Sequence, residues 1–232
     1  GGLSVASNDS VITIGKAGQD ESETAKASIV KTDATFTNGT LKFEGQGQLA
    51  QDAGKTLNFS KVAVVNNSQL VSGAALDSDT INFKANSTYA GGKDVRTKEM
   101  TFEKDATLNL GLNDDLVLAQ NGNLNLKAGS TLNVEFAEDG KSVGAAVLSG
   151  TGAAKMEDGV VVNASNMSGL KNGTYVGTAI QTETTSNTFK SYEDNTAFYK
   201  LSAAASNDGK SYETRLEISA NSMKFAKTAN QA

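Results

Sequence analysis

A tetrad of the form Thr-Leu-Asn-apolar recurs along this chain and limits what it can fold into. It reads Thr40-Leu41-Lys42-Phe43, Thr56-Leu57-Asn58-Phe59, Thr80-Ile81-Asn82-Phe83, Thr107-Leu108-Asn109-Leu110, Asn123-Leu124-Asn125-Leu126 and Thr131-Leu132-Asn133-Val134. Apolar and polar residues alternate in every copy, the two-residue period of a strand with one buried face. Leu41, Leu49 and Leu57 lie eight residues apart, and Val65 and Ile81 keep the same grid. Leu108, Leu116, Leu124 and Leu132 are again eight apart, shadowed by Leu110, Leu118, Leu126 and Val134. The step from Ile81 to Leu108 exceeds three octads by three residues. Gly91-Gly92-Lys93-Asp94, a loop by composition, is the expected place for the excess.

An octad of strand plus turn reads as one face of a coil. Two or three octads close one turn of a β-solenoid, about 16–24 residues, with each strand stacked about 4.8 Å from its counterpart. Leu, Ile, Val and Phe then fill a narrow interior as ladders, and the solenoid ladder is expected at Leu41, Leu57, Ile81, Leu108, Leu116, Leu124 and Leu132. Asn38-Gly39, Asn121-Gly122 and Asp139-Gly140 are corner dipeptides. A β-sandwich shows similar alternation, but the fixed octad and the short runs favour the solenoid. The chain of 232 residues contains no proline. A stack of central strands explains this, because each residue must donate its backbone N–H to a neighbouring rung and proline cannot.

Three further absences restrict the chemistry. There is no cysteine, histidine or tryptophan. Ser-His-Asp and Cys-His catalysis and His-dependent zinc sites are thereby excluded, as is any disulfide framework. Zero cysteine also favours an exported chain that travels unfolded. The net charge is −5, the arginines are Arg96 and Arg215 alone, and no basic cluster interleaved with aromatics occurs; nucleic acid is therefore not an expected partner. No apolar run is long enough for a membrane helix. The first residues carry no signal-peptide pattern, which fits either a cytosolic chain or a mature fragment.

Candidate chemistry rests on carboxylates. Asp20-Glu21-Glu23, Asp114-Asp115 and Glu138-Asp139 are the paired acids, but neighbours on a strand point to opposite faces and make poor dyads. Asn113, Asp114 and Asp115 offer clustered oxygens of the kind calcium takes, without a calcium-repeat motif. No cofactor or metal is expected, and solvated turns account for these acids. The outward Thr56, Asn58, Thr80, Asn82, Thr107, Asn109, Asn125, Thr131 and Asn133 form a candidate polar interaction face, able to bind by many weak contacts.

The C-terminal part differs. Ser10-Val11-Ile12-Thr13-Ile14 looks like a first strand, whereas beyond residue 145 the octad fades. Gly173-Thr174-Tyr175 opens a strand. Tyr199-Lys200-Leu201 and Leu216-Glu217-Ile218 flank the turn Ser206-Asn207-Asp208-Gly209 as a hairpin. Residues 1–35 are therefore expected to be a strand and irregular entry segment, 36–145 solenoid rungs, and 146–232 a cap with a linker. The expected cap core is Tyr175, Tyr199, Leu201, Leu216 and Ile218.

The order of these last motifs, with the polar ending over residues 225–232, resembles the C-terminal end of an autotransporter passenger domain of Gram-negative bacteria. The octads likewise resemble that family's passenger repeats, so the resemblance covers roughly residues 35–232. It implies a right-handed parallel β-helix at the bacterial cell surface or secreted, anchored through a membrane β-barrel not contained in these residues. It also implies a cap that assists folding and secretion. Adhesion to a host receptor or glycan, or self-association with another copy, is the function implied, without catalysis. The family's serine proteases are excluded by the missing histidine, and its Gly-Asp-Ser-Leu esterase pattern is not present. The alternatives are a carbohydrate-active lyase or hydrolase using carboxylates, with Arg96 or a lysine as base, a stalk without a binding role, or a trimeric phage or cell-wall fibre.

Stacked central strands make a direct prediction. Asn109→Pro should lower stability by about 1–3 kcal/mol for the orphaned carbonyl alone, read as a shifted urea midpoint. An unchanged midpoint would contradict a central strand there.

Overall fold

The computed structural model describes residues 7, 9–15, 27–29, 39–44, 47–49, 56–64, 69–72, 75–91, 94–113 and 115–219. Strands dominate, and the one helical element among the described residues is a short 3-10 turn at Met167–Gly169. The early strands are β1 (Val11–Gly15), β2 (Ala27–Ile29), β3 (Thr40–Glu44), β4 (Gly47–Leu49), β5 (Thr56–Val64), β6 (Gln69–Ser72) and β7 (Ala75–Phe83). The middle ones are β8 (Thr88–Gly91), β9 (Asp94–Arg96), β10 (Glu99–Phe102), β11 (Thr107–Leu110), β12 (Leu116–Ala119), β13 (Asn123–Leu126) and β14 (Thr131–Val134). β15 (Ala146–Leu148), β16 (Ala154–Met156) and β17 (Val161–Ala164) precede β18 (Gly173–Thr182), β19 (Tyr192–Asn195), β20 (Tyr199–Ala205) and β21 (Ser211–Ile218).

From β1 to β17 every strand pairing is parallel, and each strand lies on one from the preceding turn of chain. The protein is all-β with stacked parallel sheets, a β-solenoid-like class. From β5 onward each turn has three faces. One is the column β9–β12–β15, the second β10–β13–β16, and the third β8–β11–β14–β17. β7 serves two faces at once, pairing with β9 at Leu76 and with β10 from Thr80 to Phe83.

The octad is therefore a face. Leu108, Leu116 and Leu124 stand on the three faces of one turn, and Leu132 returns to stack on Leu108, three octads later. The earlier grid behaves differently. Thr80 stacks on Glu99 and Thr88 on Thr107, nineteen residues apart, so Ile81 lies over Met100 and Leu124 rather than over Leu108. The next turn up lengthens to thirty residues, Thr131 pairing with Val161. The expected ladder is thus three ladders. Leu41, Ile81 and Leu124 belong to one column, Leu108 and Leu132 to another, and Leu116 to a third; all six are fully buried. Leu57 registers with Leu76, and its own side chain lies outside the described ones.

Large side chains fill the centre. Phe83 and Phe102 stack with ring centroids 4.5 Å apart, and Tyr89 tilts against Phe83 at 5.4 Å. Burial pushes the Tyr89 phenol far up from its ordinary range, so it stays neutral. The corners repeat as faithfully as the strands. Asn86, Asp105, Gly129 and Gly159 all have positive φ and occupy one corner, each backbone N–H donating to the carbonyl of the next. Asn, Asp and Gly tolerate that left-handed geometry best.

Beyond β17 the pairing changes sense. β18 lies parallel to β15 from Ile180 to Thr182 and antiparallel to β21 along most of its length. β20 and β21 form the hairpin around Ser206 to Lys210, and β19 adds to β20. Tyr175, Leu201 and Leu216 are buried in this cap, while Tyr199 and Ile218 are half-buried against the core. Tyr212, fully buried, was not among the residues expected there; it stacks on Phe189 at 5.3 Å and donates to the Lys190 carbonyl at 2.7 Å. Residues 225–232 lie outside the described residues.

Leu216→Asp should destabilise the cap by about 1.5–3 kcal/mol through lost burial, with the buried carboxylate adding to that. Val147→Thr, on an outward position that is 36% exposed, should stay within about 0.5 kcal/mol of the parent. Hydrogen exchange over residues 173–218 reads the difference; equal protection in both variants would remove Leu216 from the core.

Candidate functional site

The nine Thr and Asn residues expected to face outward do not share one surface. Thr80, Asn82 and Asn125 lie on the second face; Thr107, Asn109, Thr131 and Asn133 lie on the third. Thr56 and Asn58 register with Ala75 and Asp77 on the first, and their side chains lie outside the described ones. On each face strand pairing places like residues over one another, and this decides what their side chains bond to.

On the third face, Thr107 stacks on Thr131 and Asn109 on Asn133. Asn133 Nδ2 donates to Asn109 Oδ1 at 2.7 Å. The second face carries a network around Glu99, a residue the sequence did not single out. Asn125 Nδ2 donates to Glu99 Oε2 at 2.6 Å, and Asn123 Nδ2 to Glu99 Oε1 at 2.9 Å. Asn125 also reaches Thr101 Oγ1 at 3.2 Å. Asn82 Nδ2 donates to Glu103 Oε1 at 3.4 Å, and its own Oδ1 is buried without a partner. The Asn amides are half-buried, with much of their hydrogen-bonding capacity directed along the stack. The threonines keep more of theirs for solvent: Thr80 is exposed, and Thr107 and Thr131 are half-buried. The signal for Glu99 was present in Lys98-Glu99-Met100-Thr101-Phe102, an alternating run that lacks only the Thr-Leu-Asn lettering.

The described acidic candidates sit at or beside turns. Asp115 Oδ1 accepts from the Ala145 backbone N–H at 3.1 Å. Asp139 accepts from the backbone N–H groups of Lys141 and Ser142, which hold its carboxyl below the ordinary range. Glu138 is exposed, and Asp20, Glu21, Glu23 and Asp114 lie outside the described residues. Asn113 is exposed, and Arg96 is exposed beside Asp77 in register. Among the described residues no three His, Cys, Asp or Glu side chains converge on a point where a metal could sit.

An open hollow of about 460 Å³ lies on the outer surface of the cap sheet, between Val176, Thr178, Ser202, Ala204, Glu213 and Arg215. It holds one carboxylate, without the pair that acid–base hydrolysis requires. On the inward side of the same sheet, Tyr199 donates to Asp194 Oδ2 at 2.5 Å, and this bond pushes the Tyr199 phenol up to about 12. Compared with known proteins, the chain matches no family model and no curated protein.

The Glu99 network has a pH signature. Burial acts to raise the carboxyl, but the amides of Asn125 and Asn123 and the charge of Lys155 outweigh it and hold the pKa below its ordinary value. A depressed carboxyl contributes stability that is present above its unfolded value and lost as pH falls through the folded one. Glu99→Gln should therefore lose less stability than the parent between about pH 5 and pH 3, measured as urea midpoints at the two ends. Equal losses would show that Glu99 does not contribute to the acid limb.

Proposed function

We propose that this chain is the C-terminal part of an autotransporter passenger, a right-handed parallel β-helix carried at the surface of a Gram-negative bacterium or released from it. It acts without catalysis, in adhesion to a host receptor or glycan or in self-association of the bacteria. Its cap assists passenger folding and secretion.

The observation that carries this reading is the junction of β15, β18 and β21. A parallel stack ends in an antiparallel sheet built on its own last edge, with Gly173-Thr174-Tyr175, Tyr199-Lys200-Leu201 and Leu216-Glu217-Ile218 in the order the family resemblance calls for. A firm C-terminal edge is a template on which rungs can be added one at a time, which suits a chain that reaches the outside unfolded. The lack of histidine and cysteine supports a non-catalytic role. The threonines of the second and third faces are the surface groups available for many weak contacts.

One observation favours a second reading. Asn125 and Asn133 spend hydrogen bonds within the stack, as expected of a stalk that carries a binding region elsewhere. Thr107→Lys combined with Thr131→Lys separates the two. Adhesion or self-association through this face predicts at least a several-fold loss of cell sedimentation or host-cell attachment, with unchanged display measured by external protease. Normal attachment with normal display leaves the stalk, and a chain retained inside the cell overturns the surface reading.

A further inference from the structure

The third face ends differently from the other two. On the first face β15 is covered by β18. On the second, the chain after β18 lies along β16: Met156 N–H donates to the Thr188 carbonyl at 2.8 Å and Thr188 N–H to that of Ala154 at 2.9 Å. β17 pairs with β14 on one side, and among the described residues no strand pairs with its other side. The cap strand β20 packs beside β17 without pairing with it, and Val161 on β17 is 37% exposed.

β17 and the chain that follows it carry three Asn-Xaa-Ser/Thr tripeptides within twelve residues: Asn163-Ala164-Ser165, Asn166-Met167-Ser168 and Asn172-Gly173-Thr174. This pattern is the acceptor for asparagine-linked sugar, and with no proline in the chain none is blocked at the middle position. A fourth, Asn86-Ser87-Thr88, lies at a corner; others begin at Asn8, Asn38, Asn58 and Asn66, whose side chains lie outside the described ones.

The structure separates the described four. Asn166 is committed: its Oδ1 accepts from the Phe136 N–H at 3.0 Å and its Nδ2 donates to the Phe136 carbonyl at 2.7 Å. Asn86 is followed by the fully buried Ser87, and its own φ is left-handed, so the tripeptide is set into the corner. Asn163 is exposed at the end of the Asn109–Asn133 column, and Ser165 is exposed with it. Asn172, Gly173 and Thr174 are all exposed. Neither the Asn163 nor the Asn172 amide is committed to a hydrogen bond among the described residues.

We propose that Asn163 and Asn172 are sites of N-linked glycosylation. The donor is an activated sugar with a phosphate leaving group. The bond from the anomeric carbon to the phosphate oxygen breaks, and the phosphate leaves with the electron pair. The anomeric carbon bonds to Asn Nδ2, and one Nδ2 proton passes to the transferring enzyme. The proposal rests on the chain being exported, as proposed above, but not on which surface it binds.

The test is peptide mass spectrometry on the full chain recovered from the cells that make it. The expected result is a hexose or longer sugar mass on the Asn163 and Asn172 peptides, and unmodified Asn86 and Asn166. Asn163→Gln and Asn172→Gln should each lose only their own sugar mass while keeping the parent's thermal midpoint. Bare Asn163 and Asn172 in exported protein would overturn the proposal. So would sugar confined to serine and threonine hydroxyls, or an Asn172 changed only to aspartate, which is spontaneous deamidation before glycine.

Discussion

The structure depends on one interaction repeated many times: a backbone N–H of one rung donating to the carbonyl of the rung beside it, in parallel and in register. Because the register is kept through each described column, a residue that points inward in one turn has an inward residue above and below it. Leu108 over Leu132 and Phe83 over Phe102 are consequences of that bookkeeping. The same rule brings Asn133 to Asn109 on the outside. A shift by one residue would turn the buried set outward, so the alternation and the hydrogen bonds enforce each other. Proline is incompatible with nearly every position in such a stack.

Corners must repeat as well, and here backbone conformation matters more than side-chain size. The left-handed corner of Asn86, Asp105, Gly129 and Gly159 changes residue type from turn to turn but keeps the sign of φ. Gly122 shows a tighter constraint, since a Cβ there would sit 2.3 Å from the Thr97 carbonyl oxygen. Polar side chains close remaining gaps between turns. Asn121 and Asn123 accept from the backbone N–H groups of Thr151 and Ala153, one turn on.

The lengthening of the later turns provides the material for the cap. Between β14 and β15 the chain leaves the stack, pairs Phe136 with Val143, and reaches β18, where Val176 N–H donates to the Gly140 carbonyl at 3.0 Å. Val143 packs so closely on Gly177 that an added Cβ would lie 2.8 Å from it. Asn187 secures the other side. Its Nδ2 serves Thr182, Thr184 and Gly209 while its Oδ1 accepts from Ala154 N–H. Two of three faces are thereby closed by backbone pairing, while β17 on the third has no strand paired with its outer side among the described residues. The polar ladders have a related consequence for binding: amides that stabilise the stack are partly withdrawn from any ligand, which shifts weight to the threonines.

Local pattern was enough to specify the octad strands, their inward and outward faces and three of the corners, where Gly39, Asn121 and Gly140 have positive φ, because a two-residue alternation and a left-handed Asn or Gly are properties of a few neighbouring residues; the corner of Asn86, Asp105, Gly129 and Gly159 was not read from it. The hairpin of β20 and β21 was legible for the same reason, through Asp208-Gly209. Which octad stacks on which was not legible. Nineteen-, twenty-four- and thirty-residue turns all preserve alternation within a strand, and only pairing across turns selects among them. Glu99 was missed because its partners, Asn123 and Asn125, lie a full turn away, and Tyr212 because its burial is completed by Phe189 on a distant loop. The sequence by itself determined that this chain would be a stack of short central strands with a thin apolar interior. Only the tertiary structure decided how the polar residues were shared among three faces and which edge stayed unpaired, since both depend on the register between turns.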